Sequence, residues 1–346
     1  MKHHILVTGG TGYIGSHTAV ELIEEGFRVT IIDDLSNSEI GVLEGIEAIT
    51  GVRPEFEKMN ICDQEKLFSM LKEKQDFDAI IHFAAHKSVP ESVQQPLKYY
   101  RNNLTSLMNL LAGMEKHRIP CIVFSSSCTV YGQPDVLPVT EKSPIQPAAS
   151  PYGNTKRIAE EIISDSVVAS SFIKGISLRY FNPIGAHQSA LIGELPLGVP
   201  DNLVPYITQT GIGIRPLLRV FGNDYNTPDG TPIRDYLHVV DLARAHVMAI
   251  DRLLNDRQKK RYEVFNLGIG KGVSVLEMIQ SFERVSGQKL NHEIHDRRPG
   301  DIEKIWADTS YANTELGWRA ERSIDDAVLS AWNWEQYYRK HISGRS

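Results

Sequence analysis

Short apolar segments alternate with longer amphipathic segments along the first half of the chain. The apolar segments are rich in Ile and Val and have the length of single β-strands, whereas the others repeat their apolar positions at helical spacing. Strands are predicted at 5–8, 28–33, 55–59, 79–84, 122–125 and 176–180, with helices near 13–25, 63–74, 96–117 and 152–171. Nearly continuous apolar strands separated by helices are typical of a parallel sheet covered on both faces. The pattern therefore predicts a doubly wound α/β fold.

The pattern changes after Asn182. Residues 183–231 are rich in Gly, Pro and Asn and contain only short apolar pieces such as 203–207. Regular patterns return with a strand at 236–240, a helix at 241–254, a strand at 263–267, a helix opened by a capping box at Ser274 and Glu277, and a last helix that starts near Ser323. We expect residues 1–182 to form the sheet domain and residues 183–346 a smaller mixed α/β domain, with segments near 236–267 returning to the first domain.

A glycine-rich turn joins the first strand to the first helix. The stretch from Gly9 to Gly15 fits both Gly-x-Gly-x-x-Gly and Gly-x-x-Gly-x-x-Gly. Glycines let the backbone approach a pyrophosphate at a helix N-terminus, although a simple turn with a helix cap can show the same letters. The second strand ends in Asp33, and 33 − 12 = 21 places it at the spacing from Gly12 expected for the acid that binds ribose hydroxyls. These residues predict a Rossmann-like dinucleotide site, and a carboxylate at this position favours NAD over NADP.

Charge and composition exclude several classes of protein. The 346 residues carry a formal net charge of −6, and 41% are hydrophobic and 23% charged, which leaves no basic surface for nucleic acid or an anionic membrane. No apolar run approaches a membrane span, and the first residues run directly into the first strand, so we expect no signal peptide. Cys62, Cys121 and Cys128 have no metal-ligand spacing and favour the cytoplasm. His82 and His86 straddle a strand end without an evident third ligand, so no metal site is predicted.

Tyr152 and Lys156 are candidates for proton transfer. They follow Ser150 and Pro151, which are typical of a helix start, and residues four apart share a helix face. A free tyrosine has a pKa of about 10, and lowering it by roughly three units takes about 4 kcal/mol. A nearby ammonium and the positive ring of an oxidised nicotinamide would both favour the phenolate. Tyr-x-x-x-Lys alone also occurs on solvated helix faces, but here it follows a nucleotide-binding half.

The glycine-rich turn, the Ser125-Ser126-Ser127 strand end and Tyr152-x-x-x-Lys156 together resemble the extended short-chain dehydrogenase/reductase family. Within that family, later segments resemble the UDP-glucose 4-epimerases (UDP-galactose 4-epimerases) and are more specific than the glycines. These segments are Arg179-Tyr180-Phe181-Asn182-Pro183, Asn202-Leu203, Arg234-Asp235-Tyr236-Leu237-His238-Val239 and Arg298-Pro299-Gly300-Asp301. The similarity extends from Ile5 to about Trp334.

The resemblance implies an isomerase that epimerises a UDP-sugar at C4 through a transient 4-keto sugar, with hydride held on tightly bound NAD. Tyr152 would take the proton of the sugar 4-hydroxyl, Ser127 would hydrogen-bond the same oxygen, and Lys156 would bind the nicotinamide ribose. The cofactor residues it implies are Gly9, Gly12, Tyr13, Ile14, Gly15, Asp33, Asp34, Asn37, Asn60, Ile61, Phe83, Ala84, Ala85, Lys87, Asn102, Ser125, Tyr152, Lys156 and Tyr180. The substrate residues it implies are Lys87, Ser127, Tyr152, Asn182, Asn202, Leu203, Phe221, Arg234, Tyr236, Arg298, Asp301 and Ile305.

Three positions depart from the pattern of these epimerases. Asn60 stands where an aspartate usually contacts the adenine amino group, and we expect its amide oxygen to accept the same bond more weakly. Asp34 replaces a frequent asparagine beside Asp33, and its added negative charge further disfavours NADP. Ile305 stands where relatives carry a bulky aromatic or a small residue beside the sugar. Because isoleucine is stiff at χ1, we expect weak activity on N-acetylated UDP-sugars.

Other functions remain open for these motifs. A 4-epimerase of another UDP-sugar (UDP-GlcNAc/GalNAc, a UDP-pentose or a UDP-uronate) would share them. Dehydratases that resemble this fold carry Asp and Glu directly after the catalytic hydroxyl, where this chain has Cys128 and Thr129. A non-catalytic NAD-binding protein would not need Tyr152 or Lys156.

The 96–117 helix bears on assembly. It carries more apolar residues than one sheet-covering face needs: Leu97, Leu104, Leu107, Met108, Leu111 and Met114. The alternative is that they all face the sheet. The resemblance implies that this helix and the one starting at Tyr152 pair with their copies, so we expect a twofold homodimer.

Overall fold

The centre of the molecule is a parallel β-sheet. The computed structural model describes residues 3–298 and 302–342. Its strands are β1 (His4–Thr8), β2 (Arg28–Asp33), β3 (Glu55–Lys58), β4 (Ala79–His82), β5 (Cys121–Ser125), β6 (Lys174–Tyr180), β7 (Asn182–Ile184), β8 (Leu218–Phe221), β9 (Ile233–Arg234), β10 (Tyr236–His238), β11 (Tyr262–Leu267), β12 (Val273–Ser274), β13 (His292–His295) and β14 (Lys304–Ile305). Seven of them form one sheet in the order β11-β6-β5-β4-β1-β2-β3, and all of its pairings are parallel. The predicted doubly wound fold is confirmed.

Helices cover both faces of this sheet. They are α1 (Tyr13–Glu24), α2 (Val42–Thr50), α3 (Gln64–Lys74), α4 (Val89–Gln94), α5 (Pro96–His117), α6 (Pro151–Ala169), α7 (Leu203–Gly211), α8 (Val239–Leu254), α9 (Val275–Ser286) and α10 (Ile324–His341). Successive strand residues point to opposite faces, so Ile5 and Val7 join the core beneath α1 and α8, whereas Leu6 joins the core beneath α3, α5 and α6. This two-sided burial explains why the strands are nearly uniformly apolar.

The strand order reverses between β1 and β4. The chain winds outward from β1 to β3 on one side and from β4 to β6 on the other. In such sheets the loops at the carboxyl ends of the two central strands diverge and leave a crevice. Gly9 follows β1 and Phe83 follows β4, so both lie at this crevice.

The later part of the chain contributes to two places. Strand β11 pairs with β6 at the edge of the main sheet, and α8 contacts α1, β5 and β6. Helices α7, α9 and α10 instead surround a separate apolar core that includes Ile207, Phe282 and Trp332. Two short strand pairs, β10-β7 and β13-β8, and a three-stranded sheet, β12-β9-β14, lie after β6 in the chain.

The buried Asp235 lies between β9 and β10 and joins distant loops. Its carboxylate accepts backbone N–H groups from Ile269, Gly270 and Ala307 at 2.7, 3.2 and 3.1 Å. Burial raises the pKa of Asp235 to about 6, and the three N–H donors oppose that rise. One side chain thus ties together segments that lie before α8, after β11 and after β14.

Some elements differ from the sequence prediction. The predicted strand at 236–240 ends at His238, whose ring nitrogen Nδ1 accepts the Val240 N–H at 3.1 Å and caps α8. Val239 and Val240 favour a strand by propensity. The His238 cap and the burial of both valines in α8 override that weak preference. The apolar piece at 203–207 belongs to α7, and α2 and α4 were not predicted because they are short and half-buried.

The helices also bear on membrane insertion. None in the described ranges is long and apolar enough to cross a bilayer.

Candidate active site

The glycine-rich turn between β1 and α1 lies against the end of β4. Gly9 has a φ of 70°, and a Cβ there would lie 2.7 Å from the Ala84 backbone nitrogen. A Cβ at Gly15 would collide with the Gly9 carbonyl oxygen. Gly12 is the N-cap of α1 and offers no side chain to the first N–H groups of that helix. The turn therefore leaves space and free donors for a phosphate at the helix N-terminus.

Asp33, at the end of β2, faces this turn. Its carboxylate accepts the Thr11 N–H at 3.3 Å and the Leu35 N–H at 2.9 Å. The Ser38 hydroxyl donates to it at 3.2 Å. These donors fix a half-buried carboxylate on the rim of the glycine-rich turn, where the ribose hydroxyls of a dinucleotide would donate to it.

A second polar pair lies at the ends of β2 and β3. The Asn60 amide nitrogen donates to Asp34 at 3.1 Å, and the Asn60 oxygen accepts the Cys62 N–H at 2.8 Å. The oxygen expected to accept from adenine is thus already engaged with the backbone. The Asp34 carboxylate, which also accepts the Ser36 N–H at 2.9 Å, supplies further acceptor capacity at this edge.

The other residues predicted to bind the cofactor follow the same carboxyl edge. Ile61 is buried after β3, Asn37 is exposed after β2, Asn102 lies on α5, Tyr13 and Ile14 begin α1, and Phe83, Ala84 and Ala85 follow β4. The Tyr13 hydroxyl donates to the Gly185 carbonyl at 2.6 Å. This bond links the glycine-rich turn to the segment after β7.

Helix α6 begins as predicted. The Ser150 hydroxyl accepts the Gly153 N–H at 3.1 Å, and Pro151 is the first helical residue. Tyr152 and Lys156 then face the carboxyl end of β5, and both are buried.

Lys156 reaches the end of β5 directly. Its Nζ donates to the Ser125 carbonyl at 2.7 Å and lies 5.8 Å from the centre of the Tyr152 ring. The Ser125 hydroxyl contacts the Tyr180 hydroxyl at 2.7 Å. The Ser127 hydroxyl accepts the Thr129 N–H at 3.2 Å and lies close enough to the Tyr152 phenol to lower its pKa. The structure thus brings Ser125, Ser127, Tyr152, Lys156 and Tyr180 together.

Burial affects the two candidate proton-transfer groups in opposite directions. It raises the pKa of Tyr152 well above 10.0, the nearby Tyr180 adds to this, and the Ser127 hydroxyl lowers it. Burial lowers the pKa of Lys156 from 10.5 to about 8, while the Glu160 carboxylate opposes the change. The chain alone therefore favours a neutral tyrosine, so a phenolate needs positive charge from a bound molecule as well as from Lys156.

A carboxylate that the motifs did not predict lies across the crevice. Glu194 Oε1 accepts the Asn202 amide N–H at 2.6 Å and lies 3.4 Å from Lys87 Nζ. The Glu194 carbonyl accepts the Trp334 indole N–H at 3.0 Å. Glu194 thus contacts two predicted substrate residues from separate loops. No spacing rule marks it, because Lys87 lies 107 positions away.

The predicted arginines belong to β9 and to the segment after β13. The Arg298 guanidinium stacks over the Phe221 ring at 4.4 Å. Arg234 donates to the Ile233 carbonyl at 2.9 Å, and its charge acts on the thiol of Cys128, directly after Ser127. Arg234 therefore lies close enough to the segment after β5 for its charge to act there.

The remaining predicted substrate residues flank these arginines. Asn182 pairs with Tyr236 in the β7–β10 ladder, and Leu203 begins α7 directly after Asn202. Ile305 is buried in an apolar cluster with Phe181, and Cys128 packs against that cluster. Asp301 lies outside the described residues.

The two histidines considered for metal binding have other contacts. His82 bonds the Thr8 hydroxyl at 2.8 Å, and the His86 ring lies against the Tyr99 ring. In the described ranges, no three His, Cys, Asp or Glu side chains are grouped as metal ligands.

Comparison with known proteins agrees with this geometry. Residues 6–330 match the family model described as GDP-mannose 4,6 dehydratase. The chain is 48% identical over 331 residues to a UDP-glucose 4-epimerase of Dictyostelium discoideum, covering 96% of this chain and 95% of that protein. A Stenotrophomonas maltophila UDP-glucose-4-epimerase, crystallised with bound NAD and formylated UDP-arabinopyranose, has a TM-score of 0.94 at 45% identity and covers 98% of this chain and 99% of its own. A Bifidobacterium longum UDP-glucose 4-epimerase in complex with NAD+ and UDP has a TM-score of 0.93 at 44% identity, with 99% of each chain covered.

The family match over most of the chain, with the Tyr152–Lys156 pair at the end of β5, places the protein among the short-chain dehydrogenases/reductases that act on nucleotide sugars. Within that class it belongs to the UDP-glucose 4-epimerase family.

The close approach of Gly15 to Gly9 leads to a prediction about dinucleotide binding. We expect Gly15→Ala to lower NAD affinity at least tenfold, because the added methyl displaces the turn that receives the pyrophosphate. Isothermal titration of nucleotide-stripped protein measures the change. Gly41→Ala is the control, since nothing lies within 4 Å of a Cβ at Gly41. Wild-type affinity in Gly15→Ala would show that the turn does not hold the cofactor.

Proposed function

We propose that this protein interconverts UDP-galactose and UDP-glucose by epimerisation at C4. The reaction passes through a transient 4-keto sugar and makes the protein an isomerase. The observation that carries this proposal is the arrangement of Tyr152, Ser127 and Lys156 at the end of β5, beside the crevice where the glycine-rich turn lies.

The residues around the glycine-rich turn fit tightly bound NAD. A Cβ would fill the space at Gly9 and Gly15, and the Asp33 carboxylate suits the ribose hydroxyls and would repel a 2′-phosphate. When bound there, NAD would supply the hydride acceptor for C4. At the adenine edge we assign acceptor capacity to Asp34, with Asn60 holding that carboxylate in place.

Tyr152 and Ser127 handle the proton. Tyr152 takes the proton of the 4-hydroxyl as hydride leaves C4, and Ser127 hydrogen-bonds the same oxygen and can relay the proton. Lys156 contributes an ammonium fixed by the Ser125 carbonyl, and it would bind the nicotinamide ribose. Since burial alone keeps Tyr152 protonated, this arrangement becomes a base only when the oxidised cofactor adds its positive charge.

The other side of the crevice holds the nucleotide. Arg234 and Arg298 suit the diphosphate, because a guanidinium makes paired, charged hydrogen bonds. Phe221, beneath Arg298, suits the uracil ring. Holding the substrate by its UDP part leaves the 4-keto sugar able to turn and present its other face. Asn182 and Asn202 would orient the substrate beside Glu194.

A second candidate is 4-epimerisation of a UDP-pentose. It is favoured by the formylated UDP-arabinopyranose bound to the similar Stenotrophomonas enzyme, and the same Tyr152–Ser127 chemistry would serve it. Comparing turnover of UDP-galactose with that of UDP-xylose distinguishes the two.

The proposal extends to the organisation of the protein. We assign NAD binding to residues 1–182 together with α8 and β11, and UDP-sugar binding mainly to residues 183–346. The three described cysteines are free thiols, which supports a cytoplasmic location. Cell fractionation that finds the protein in an oxidising compartment would contradict this location.

The proton assignment can be tested by removing single oxygen atoms. We expect Tyr152→Phe to keep the fold and bound NAD while kcat falls about 10²–10⁴-fold, the range for losing a general base. Ser127→Ala should cost less, because it removes only the hydrogen-bonding partner. A coupled assay of UDP-galactose conversion gives both rates. Near-full activity of Tyr152→Phe with NAD bound would mean that another group moves the proton.

The substrate range depends on Ile305 in this proposal. We expect UDP-galactose to be preferred over UDP-GalNAc by on the order of 1–3 kcal/mol in kcat/KM, since a hydrophobic wall rejects bulk only modestly. Ile305→Gly should raise activity on UDP-GlcNAc and UDP-GalNAc, because it removes the side chain from the apolar cluster against which Cys128 packs. Val130→Ala, which creates a cavity in the same apolar cluster, is the control for lost packing. Equal wild-type efficiency on both pairs would place the selecting residue elsewhere.

We further propose a homodimer formed through α5 and α6. On α5, Leu107 and Met114 face the sheet core, but Leu97 and Met108 are 67% and 48% exposed. Light scattering at micromolar concentration should give twice the chain mass, and Leu97→Glu with Met108→Glu should shift the protein towards monomer. Val52→Glu, which alters an exposed valine outside α5 and α6, should leave the mass unchanged. A monomeric wild type would remove the dimer.

A further inference from the structure

A buried ion pair lies directly behind the catalytic face of α6. Arg179 on β6 donates to the Glu160 carboxylate through Nε at 2.9 Å and through Nη2 at 2.5 Å. The side chains are 6% and 7% exposed. The Ser126 hydroxyl donates to the same carboxylate at 2.5 Å. Three donor groups therefore converge on one carboxylate, which satisfies it and holds it in a single position.

Glu160 continues the stripe formed by Tyr152 and Lys156. The three residues are spaced by four along α6, so they follow one helix face. Each faces a different residue at the end of β5: Lys156 donates to the Ser125 carbonyl, Glu160 accepts the Ser126 hydroxyl, and Tyr152 lies near the Ser127 hydroxyl, which lowers its pKa. Three residues of α6 thus face the end of β5. The Tyr152-x-x-x-Lys156 motif contains two of them, and Glu160 is the third.

We propose that Glu160 is a positioning residue of the active site: its negative charge, one helical turn from Lys156, favours the charged ammonium, and through Ser126 it fixes the strand end that presents Ser127. This inference rests on the function proposed above.

Among the groups that face Lys156, Glu160 is the carboxylate whose charge acts on the Lys156 pKa. From β4 comes His82, which is neutral because burial lowers its pKa to about 3. From β5 come the Ser125 carbonyl and the Phe124 ring, 4.8 Å from the ammonium. From α6 itself come Tyr152, kept neutral by burial, and Glu160.

Groups farther out act on Tyr152 or Glu160 rather than on Lys156. Tyr180 faces Tyr152 and is neutral, since burial raises its pKa to about 12, and Cys128 and Tyr99 also face Tyr152. Behind Glu160 lie Arg179 and the buried phenol of Tyr262. Arg179 extends away from Lys156 and donates to the Tyr131 hydroxyl at 3.0 Å. Its charge is therefore farther from Lys156 than the charge of Glu160 is.

The sign of the effect follows from these charges. Burial lowers the pKa of Lys156 to about 8, and the Glu160 charge opposes that fall. Neutralising Glu160 therefore lets Lys156 lose its proton at a lower pH. Without the ammonium the Tyr152 phenolate loses support, so the alkaline limb of the activity profile moves to lower pH.

The test compares pH profiles of kcat for the NAD-loaded enzyme at saturating UDP-galactose. Glu160→Gln keeps the shape and an acceptor for Ser126, but it leaves the Arg179 charge uncompensated. The double variant Glu160→Gln/Arg179→Met removes both charges and protects the fold. We expect the alkaline limb to move down by about one pH unit in Glu160→Gln, and by less but in the same direction in the double variant.

The chain offers a matched control. Arg252 and Glu263 form another buried pair at 2.7 Å, with side chains 9% and 2% exposed, away from α6. Glu263→Gln and Glu263→Gln/Arg252→Met should lower Tm comparably and leave the alkaline limb where it is in the wild type.

The outcomes separate this inference from the function on which it rests. A shifted limb in both Glu160 variants but in neither Glu263 variant supports the positioning role. A wild-type limb in the Glu160 variants overturns it while the epimerase proposal stands. Failure of the Glu160 variants to fold, when the control variants fold, would mark a purely structural role and also overturn it. A wild type without epimerase activity would remove the proposed function and this inference with it.

Discussion

The hydrogen bond from the Lys156 ammonium to the Ser125 carbonyl is the contact on which the site depends. It docks α6 onto the end of β5, and this docking places Tyr152 over Ser127 and brings Glu160 to Ser126. An ammonium that leaves water loses a large solvation energy, which a carbonyl, an aromatic face and a nearby carboxylate together replace. Because the charge is then held in a dry environment, it acts more strongly on its neighbours than it would in water.

That dry environment has a cost for the tyrosine. Burial favours the neutral phenol, so the protein without its cofactor is poorly suited to deprotonate a sugar hydroxyl. A basic tyrosine would therefore need added positive charge, which an oxidised nicotinamide would supply when bound.

The opposite wall of the crevice combines cations with a carboxylate. In the proposed function Arg234 and Arg298 would suit a diphosphate, whereas Glu194 pairs with Lys87, accepts the Asn202 amide and adds a negative charge. We interpret Glu194 as an organising group that joins the loop after β4 to the start of α7. Its carbonyl bond to Trp334 ties the same place to α10, so three distant parts of the chain meet there.

The sequence by itself determined the features that depend on neighbours along the chain. The alternation of apolar strands and helices, the glycine-rich turn, the Ser150 cap before Pro151 and the Ser274–Glu277 capping box are local, and the structure has them as predicted. Only the tertiary structure decided the contacts between distant segments: Glu160 with Ser126, Glu194 with Lys87, and Asp235 with the loops after β11 and β14. It also assigned Val239 and Val240 to a helix and buried Ile305. The physical reason is that strand order and helix packing bring these groups together. Neither can be predicted from the residue spacing within a single segment.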